Sequence, residues 1–449
     1  MSKQNIEFKD SGIPWIGEIP KHWEVIRNKY VFTHKKEIVG SKFKNFDILS
    51  LTKNGIKIIV ESDQKGKVPD SFETYQTVKK DDIVMCLFDL DVSAVFSGIS
   101  KYSGIISPAY KIFNPKENLN FKYAGYFFDF VFVNRKFKQY SKNIRFTLGT
   151  DEFMNLKILY PPLNEQKEIA EFLDKKCEII DKRLSNLERK IKSLKEYKKS
   201  LISECVTKGL NPKNMEFKDS GIPWIGQIPK HWEVTKIKYC LKENFSGCWG
   251  DDLENEQISQ NSRLCIRVAD FDFDKQKVKQ TADTFRNYTK SQILSTKLQY
   301  GDLIIEKSGG GDKMPVGRSV VFEQNLFGEK EVLFANFCQC FRPLNINNKF
   351  FAHAMKAFYQ NNNMRFFFNQ TTGIQNLSIF NILNAFLSYP PLNEQKEIAE
   401  FLDKKCEKID RLNENYTKQI TALKEYKKSL IYECVTGKNI FDCGAKNIS

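Results

Sequence analysis

Apolar positions in this chain follow two different periods, and the switch between them marks its parts. From Leu173 the sequence places Leu173, Cys177, Ile180, Leu184, Leu187, Ile191, Leu194, Lys198, Leu201 and Cys205 at alternating steps of four and three. That spacing predicts a long helix with a heptad seam. The same seam returns as Leu402, Cys406, Ile409, Asn413, Tyr416, Ile420, Leu423, Lys427, Leu430 and Cys434, with Asn413 as a polar interruption of the kind that fixes register. Pro161-Pro162 precede the first helix, Asn164 is the expected N-cap, and Glu165 and Glu168 fall in the first turn. From Asn164 to Cys205 the helix would extend ~63 Å. Two such helices pack most simply as an antiparallel coiled coil, with the segments before them at opposite ends about a pseudo-twofold axis. The roughly 190 residues between the helices would also allow a parallel return.

The stretches before each helix carry short strand-like runs instead. In the first these are Asp47 to Leu51, Lys57 to Val60, Ile83 to Phe88 and Ser103 to Ile106, with a helix expected near Phe121 to Tyr140. In the second they are Leu264 to Val268, Asp302 to Glu306, Ser319 to Phe322 and Phe334 to Arg342, with a helix over Phe350 to Phe368. The predicted class is α+β, two globular α/β domains joined by two long helices.

Self-comparison shows that the scaffold is written twice. EFKDSGIPWIGEIPKHWEV at Glu7 to Val25 recurs at Glu216 to Val234 with one change, Glu18 to Gln227. YPPLNEQKEIAEFLDKKCE at Tyr160 to Glu178 recurs unchanged at Tyr389 to Glu407, and LKEYKKSLI at Leu194 to Ile202 recurs at Leu423 to Ile431. What lies between the copies shares little. The expected segments are therefore a strap (1–25), a first insert (26–159), a first long helix (160–208), a second strap (209–234), a second insert (235–388), a second long helix (389–436) and a tail (437–449). Pro14, Gly17 and Pro20 exclude a helix from the strap, and its tryptophans should pack on a neighbour, although they could also stack bases.

Composition narrows the chemistry. The 449 residues carry a net charge of +15, and the excess lies mainly outside the long helices, with 25 basic against 18 acidic residues in 1–163 and 22 against 18 in 209–392. Such an excess suits a protein that meets phosphate backbones. Lys195, Lys198, Lys199 and their copies Lys424, Lys427 and Lys428 could reach phosphates, or form a solvated face. The richest apolar run, Tyr126 to Val133, is interrupted by Asp129 and is too short to span a bilayer, and the first ten residues are polar, so a cytoplasmic location is expected. Eleven cysteines without a C-x-x-C pair, and four histidines without ligand spacing, suggest buried thiols rather than disulfides or a metal site. The chain lacks G-x-G-x-x-G, G-x-S-x-G, H-E-x-x-H, a Walker lysine motif and the [DNS]-P-P-[YFW] motif of base amino-methylation; Tyr75 stands where a PD-(D/E)-x-K nuclease needs lysine. No catalytic residue is assigned.

With its twin straps, its twin P-P-L-x-E-Q-x-x-I helices and its two unlike inserts, the chain resembles the specificity subunits of type I restriction-modification systems over essentially its whole length. The resemblance implies that each insert is a target recognition domain reading one half of an asymmetric bipartite site in double-stranded DNA, while the helix pair sets the gap. It further implies docking to two adenine-N6 methyltransferase subunits and, through them, to ATP-dependent nuclease subunits. S-adenosylmethionine, Mg2+ and ATP would then belong to those partners, with no cofactor in this chain. A coiled-coil adaptor without DNA readout is the competing class, and an enzyme with an unrecognised site a further one.

Polar and basic residues at loop-like positions are the expected DNA readers: Lys53, Asn54, Lys142, Asn143, Arg145 and Thr147 in the first insert, and Lys307, Ser308, Lys313, Arg318, Arg365, Gln370, Thr371 and Thr372 in the second. Gly309 to Gly311 would let the backbone approach a phosphate or base, or else form a hairpin loop. Trp15, Trp23, Trp224 and Trp232 are the strap residues assigned to partner docking by the resemblance.

Overall fold

The structure is a computed structural model that describes residues 7–52, 55–59, 71–91, 97–142, 144, 146–253, 257–323, 327–328, 331–371 and 373–438. The chain divides into two compact units, Met1–Leu187 with Lys418–Ser449, and Glu188–Thr417.

In the first unit the strap is a short hairpin, Phe8–Asp10 antiparallel to Glu18–Pro20. Its turn needs Gly17 at φ 75°, a backbone requirement, since a Cβ there would meet nothing within 4 Å. Glu24–Arg27 then pairs antiparallel with Lys157–Tyr160, so the first insert leaves and returns through adjacent strands. Within it, Phe32–Lys35, Lys111–Pro115, Ile83–Met85 and Ser97–Ile99 form an antiparallel sheet in that order. Helix α1 (Phe121–Val133) starts at Asn120, whose side chain accepts from the amides of Lys122 and Tyr123. Its Tyr123, Phe127, Phe128 and Val131 are buried in a core shared with Trp23, Phe32, Phe113 and Phe153. Each fully buried aromatic or aliphatic side chain there contributes about 1.5–3 kcal/mol.

Helix α2 (Leu163–Lys208) is continuous over 46 residues. It starts one residue before the expected cap, because the Gln166 amide already bonds the Pro162 carbonyl; Asn164 is inside the first turn.

The second unit repeats the plan with a larger insert. Phe217–Asp219 pairs with Gln227–Pro229, and Glu233–Lys236 with Phe386–Tyr389. Its main sheet has six strands, ordered Leu241–Ser246, Cys338–Pro343, Leu303–Glu306, Ser319–Val321, Lys277–Val278, Phe271–Asp272. The strand expected over Phe334 to Arg342 is two, Val332–Phe334 and Cys338–Pro343, separated by the turn in which the Cys338 amide bonds the Ala335 carbonyl. Helix α3 (Asn348–Gln360) is capped by Asn347 just as Asn120 caps α1. Helix α4 (Leu392–Val435) is the second long helix.

Each unit contains part of both long helices, and in each they run antiparallel. In the first unit Tyr123 Oη donates both to the Leu159 carbonyl, just before α2, and to the Val435 carbonyl at the end of α4, while farther along α2 Asp181 meets Lys427. In the second, Lys190 lies over Tyr416 and Lys198 binds Asp410, so rising numbers on α2 meet falling numbers on α4. The seam positions Leu173, Cys177, Ile180, Leu187, Lys198 and Cys205 are buried, as are Leu402, Cys406, Ile409, Leu430 and Cys434. Asn413 occupies its seam position with a buried Oδ1 that has no hydrogen-bond partner among the described residues. An orphaned amide oxygen in a seam costs about 1–3 kcal/mol.

Candidate nucleic-acid interface

The copied residues at the start of each long helix hold the insert beside it. Glu165 accepts from Trp23 Nε1 at 2.9 Å and pairs with His22 Nε2 at 2.9 Å. Its copy Glu394 accepts from Trp232 Nε1 at 2.9 Å and pairs with His231 at 2.8 Å. Gln166 accepts from the amide of Asn120 and Gln395 from the amide of Asn347, each at 2.8 Å, so the same glutamine seats the N-terminus of α1 and of α3. Lys122 then reaches Asp174 at 2.6 Å, and Lys349 reaches Asp403 at 2.7 Å. The inserts, dissimilar in sequence, therefore attach through the same contacts.

One matched position differs in charge. Nine residues after the capping asparagine stand Asp129 in α1 and Lys356 in α3. Asp129 lies exposed on α1 and accepts from Ser97 Oγ at 3.2 Å. Burial, reinforced by Lys198, lowers the Lys356 ammonium to about 8. Lys356 Nζ and Lys198 Nζ both donate to the Asp274 carbonyl, at 2.6 and 3.0 Å, pinning that turn of the second insert against α2.

Of the strap tryptophans assigned to partner docking, Trp15 and Trp224 are half-buried. Trp23 and Trp232 are wholly buried, with their indole N–H groups spent on glutamates. Trp15 donates to Tyr140 Oη at 3.3 Å and packs on Phe130 and Phe137. Trp224 donates to the Phe386 carbonyl at 3.1 Å and meets Phe358 and Phe367 edge-on. Each indole N–H is satisfied within its own unit, as a buried or half-buried tryptophan requires.

Of the readers expected in the first insert, Lys53, Asn54, Asn143 and Arg145 lie outside the described residues. Lys142 and Thr147 exchange backbone hydrogen bonds at 3.0 Å, closing a small loop. The exposed Lys142 ammonium pairs with Glu152 at 2.7 Å, which raises its pKa. Such an exposed pair exchanges readily for a phosphate.

In the second insert the structure brings together Lys307, Ser308 and Arg318. Arg318 binds Glu306 through two bonds of 2.8 Å, and Glu306 is 1% exposed. This pair is a rigid floor, and Arg318 is not a freely swinging reader. Lys307 donates to Ser246 Oγ at 2.6 Å, and burial lowers its pKa. Ser308 donates to Asn376 at 2.6 Å. The glycine run is no loose loop: Ser308–Gly310 is a strand on Ile374–Leu377, and a Cβ on Gly310 would overlap Pro315 and Val316 backbone. Lys313 is exposed. Exposed Arg365 lies over Phe366, and Gln370 accepts from Gln375 on a neighbouring strand. Thr371 ends the strand Phe368–Thr371, and Thr372 lies outside the described residues. Sequence reasoning missed Trp249, Arg267, Asn336 and Phe337, which surround the Glu306–Arg318 pair. The signal available was Trp249, alone among five tryptophans outside the copied straps.

Among the described residues no helix is long and apolar enough to cross a membrane, and no three His, Cys, Asp or Glu side chains gather as a metal site.

The model of the type I restriction modification DNA specificity domain matches residues 20–194 and again 271–422. The chain belongs to this family. The first match includes the whole first insert and the second includes the second insert from residue 271 on, and each runs into the long helix that follows. The chain is 25% identical over 295 residues, 64% of its length, to the type I restriction enzyme MjaVIII specificity subunit of Methanocaldococcus jannaschii. That match spans 63% of the relative's own length. In fold, the chain is similar to one in a structure described as the structural basis underlying complex assembly and conformational transition of the type I R-M system. There the TM-score is 0.66 at 13% identity, over 93% of this chain and 99% of that one.

Proposed function

We propose that this chain is the DNA-reading specificity subunit of a type I restriction-modification complex. Residues 26–159 and 235–388 each read one half of an asymmetric, bipartite duplex site, and the antiparallel α2–α4 pair fixes the number of base pairs between the halves. The chain itself is non-catalytic and cytoplasmic. It directs adenine-N6 methylation by two docked methyltransferase subunits, or cleavage by ATP-dependent nuclease subunits that they recruit. S-adenosylmethionine, Mg2+ and ATP are bound by those partners.

The observation that carries this reading is the twofold family match on a copied scaffold with two unlike inserts. A bipartite site needs two different readers on one spacer, and an adenine to be methylated must leave the duplex for a separate catalytic pocket. Exposed Lys142, Lys313 and Arg365 would supply phosphate contacts that position the duplex, and polar side chains near them would read base edges. The test is an exchange of residues 26–159 for the corresponding insert of a relative, with selection of bound duplexes by the chain assembled with methyltransferase. One half of the selected motif should change and the other half and the gap should stay; a change in both halves, or none, contradicts the proposal.

A further inference from the structure

Trp249 is 39% exposed although the segment that carries it is tightly fixed. The Cys248 amide bonds the Phe334 carbonyl at 2.9 Å, and Tyr288 Oη donates to the Cys248 carbonyl at 3.2 Å. Arg286 donates to the carbonyls of Trp249 and Gly250, each at 3.2 Å, and its guanidinium lies 4.5 Å from the indole centroid. A Cβ on Gly247 would overlap the carbonyls of Phe334 and Ala335, so the chain enters this segment only with glycine. A large ring held in place by this many bonds and still open to water is arranged to receive something flat.

A second ring stands on the same cavity. Phe337 is 57% exposed, on the turn after Ala335, and its carbonyl accepts the amides of Lys307 at 2.8 Å and Ser308 at 3.2 Å. The cavity, about 600 Å³, is lined by both rings together with Arg267, Ser308 and the Glu306–Arg318 pair. Gly309, at φ 115° with nothing within 4 Å of a Cβ, leaves its rim unobstructed. Arg267 is held by Asp270 at 3.3 Å, and Asp252 pairs with Arg286, so the cationic groups around the rings are fixed as well.

Apolar ring faces above a floor of immobilised donors and acceptors match the chemistry of a nucleobase, whose faces stack and whose edge forms hydrogen bonds. Inside a duplex those faces are covered by the neighbouring base pairs. Only a base that has left the stack can offer one to Trp249. We propose that the cavity between Trp249 and Phe337 takes a single nucleobase unstacked from the half-site read by the second insert. This rests on the DNA-reading function above. It adds an extrahelical base held by the recognition subunit, apart from the adenine delivered to the methyltransferase.

The test is a cycle between protein and DNA. The chain assembled with methyltransferase subunits is titrated with specific duplexes in which each nucleotide of the second half-site is made abasic in turn, using the native chain, Trp249→Ala and Phe337→Ala. On the intact duplex each variant should weaken binding roughly tenfold, as expected for loss of one base stacked on an aromatic ring. At one position alone, the abasic duplex should bind the native chain and both variants equally. If the variants lose the same factor on every abasic duplex, or lose nothing on the intact one, the slot holds no base. If the native complex does not discriminate its duplex at all, the reading function fails and this proposal with it; discrimination without a coupled position defeats the slot alone. Trp249 and Phe337 lie on separate segments and are both exposed, so misfolding of one variant leaves the other to decide.

Discussion

Lys198 on α2 donates to both carboxylate oxygens of Asp410 on α4, each at 2.7 Å. The copies exchange roles, with Lys427 on α4 holding both oxygens of Asp181 on α2 at 2.7 and 2.8 Å. Both ion pairs join the same two copied positions across the coil, as an antiparallel register requires.

Their energetic worth should differ. Lys198 and Asp410 are 9% and 22% exposed, whereas Lys427 and Asp181 are 29% and 56% exposed. Lys198→Ala would strand a largely buried carboxylate and cost roughly 3 kcal/mol, while Lys427→Ala should cost under about 1 kcal/mol. Urea unfolding of the two variants measures this, and equal losses would refute it.

The glutamates under the strap tryptophans act as acceptors for buried donors. Glu165→Ala leaves the Trp23 N–H unpaired inside the core and should cost about 1–3 kcal/mol, whereas Glu165→Gln keeps an acceptor and should recover most of it. Glu394 under Trp232 should behave alike. Thermal midpoints of the four variants provide the check.

Lys356 should make stability depend on alkaline pH. Its ammonium is lowered to about 8 in the fold and titrates near 10.4 in the unfolded chain, so between those values the unfolded state binds more protons. Stability should therefore rise from about pH 8 towards pH 10.5. Lys356→Met should remove that rise and add roughly 2 kcal/mol at pH 7, where the native chain carries a buried charge. Thermal midpoints over pH 7–11 for both proteins would show it; parallel curves would contradict it.

Most of the scaffold was legible because it follows period and repetition. The heptad steps and the Pro-Pro and Asn164 start signals place both long helices to within about three residues at each end, and the copied segments imply equivalent docking. Lys198 was visible as a seam position, but its partner Asp410 lies 212 residues away on the other helix, and no local pattern links them. The burial of Trp23 and Trp232 is not legible in sequence, because a buried and an exposed indole look alike there; the glutamate that satisfies Trp23 is 142 residues distant. The charge of Arg318 marks it as a reader in sequence, and only the fold reveals that Glu306 binds it through two hydrogen bonds. Trp249 and Phe337 come from separate segments that meet by tertiary packing, so the slot had no sequence signature beyond an unmatched tryptophan.

Inserting one heptad at matched points of α2 and α4 should lengthen the spacer by about 10.5 Å, equivalent to about 3 bp of duplex. Methylated sites should then keep both half-sequences and gain that many base pairs of gap. An unchanged gap would mean that the helices do not set it.

A map of N6-methyladenine across the host genome, made with and without this gene, decides whether the chain specifies methylation. One asymmetric motif, two short half-sequences with a fixed gap, should lose its methylation when the gene is removed and regain it on complementation. If every methylated motif persists in the deletion strain, and complementation adds none, the chain does not specify methylation.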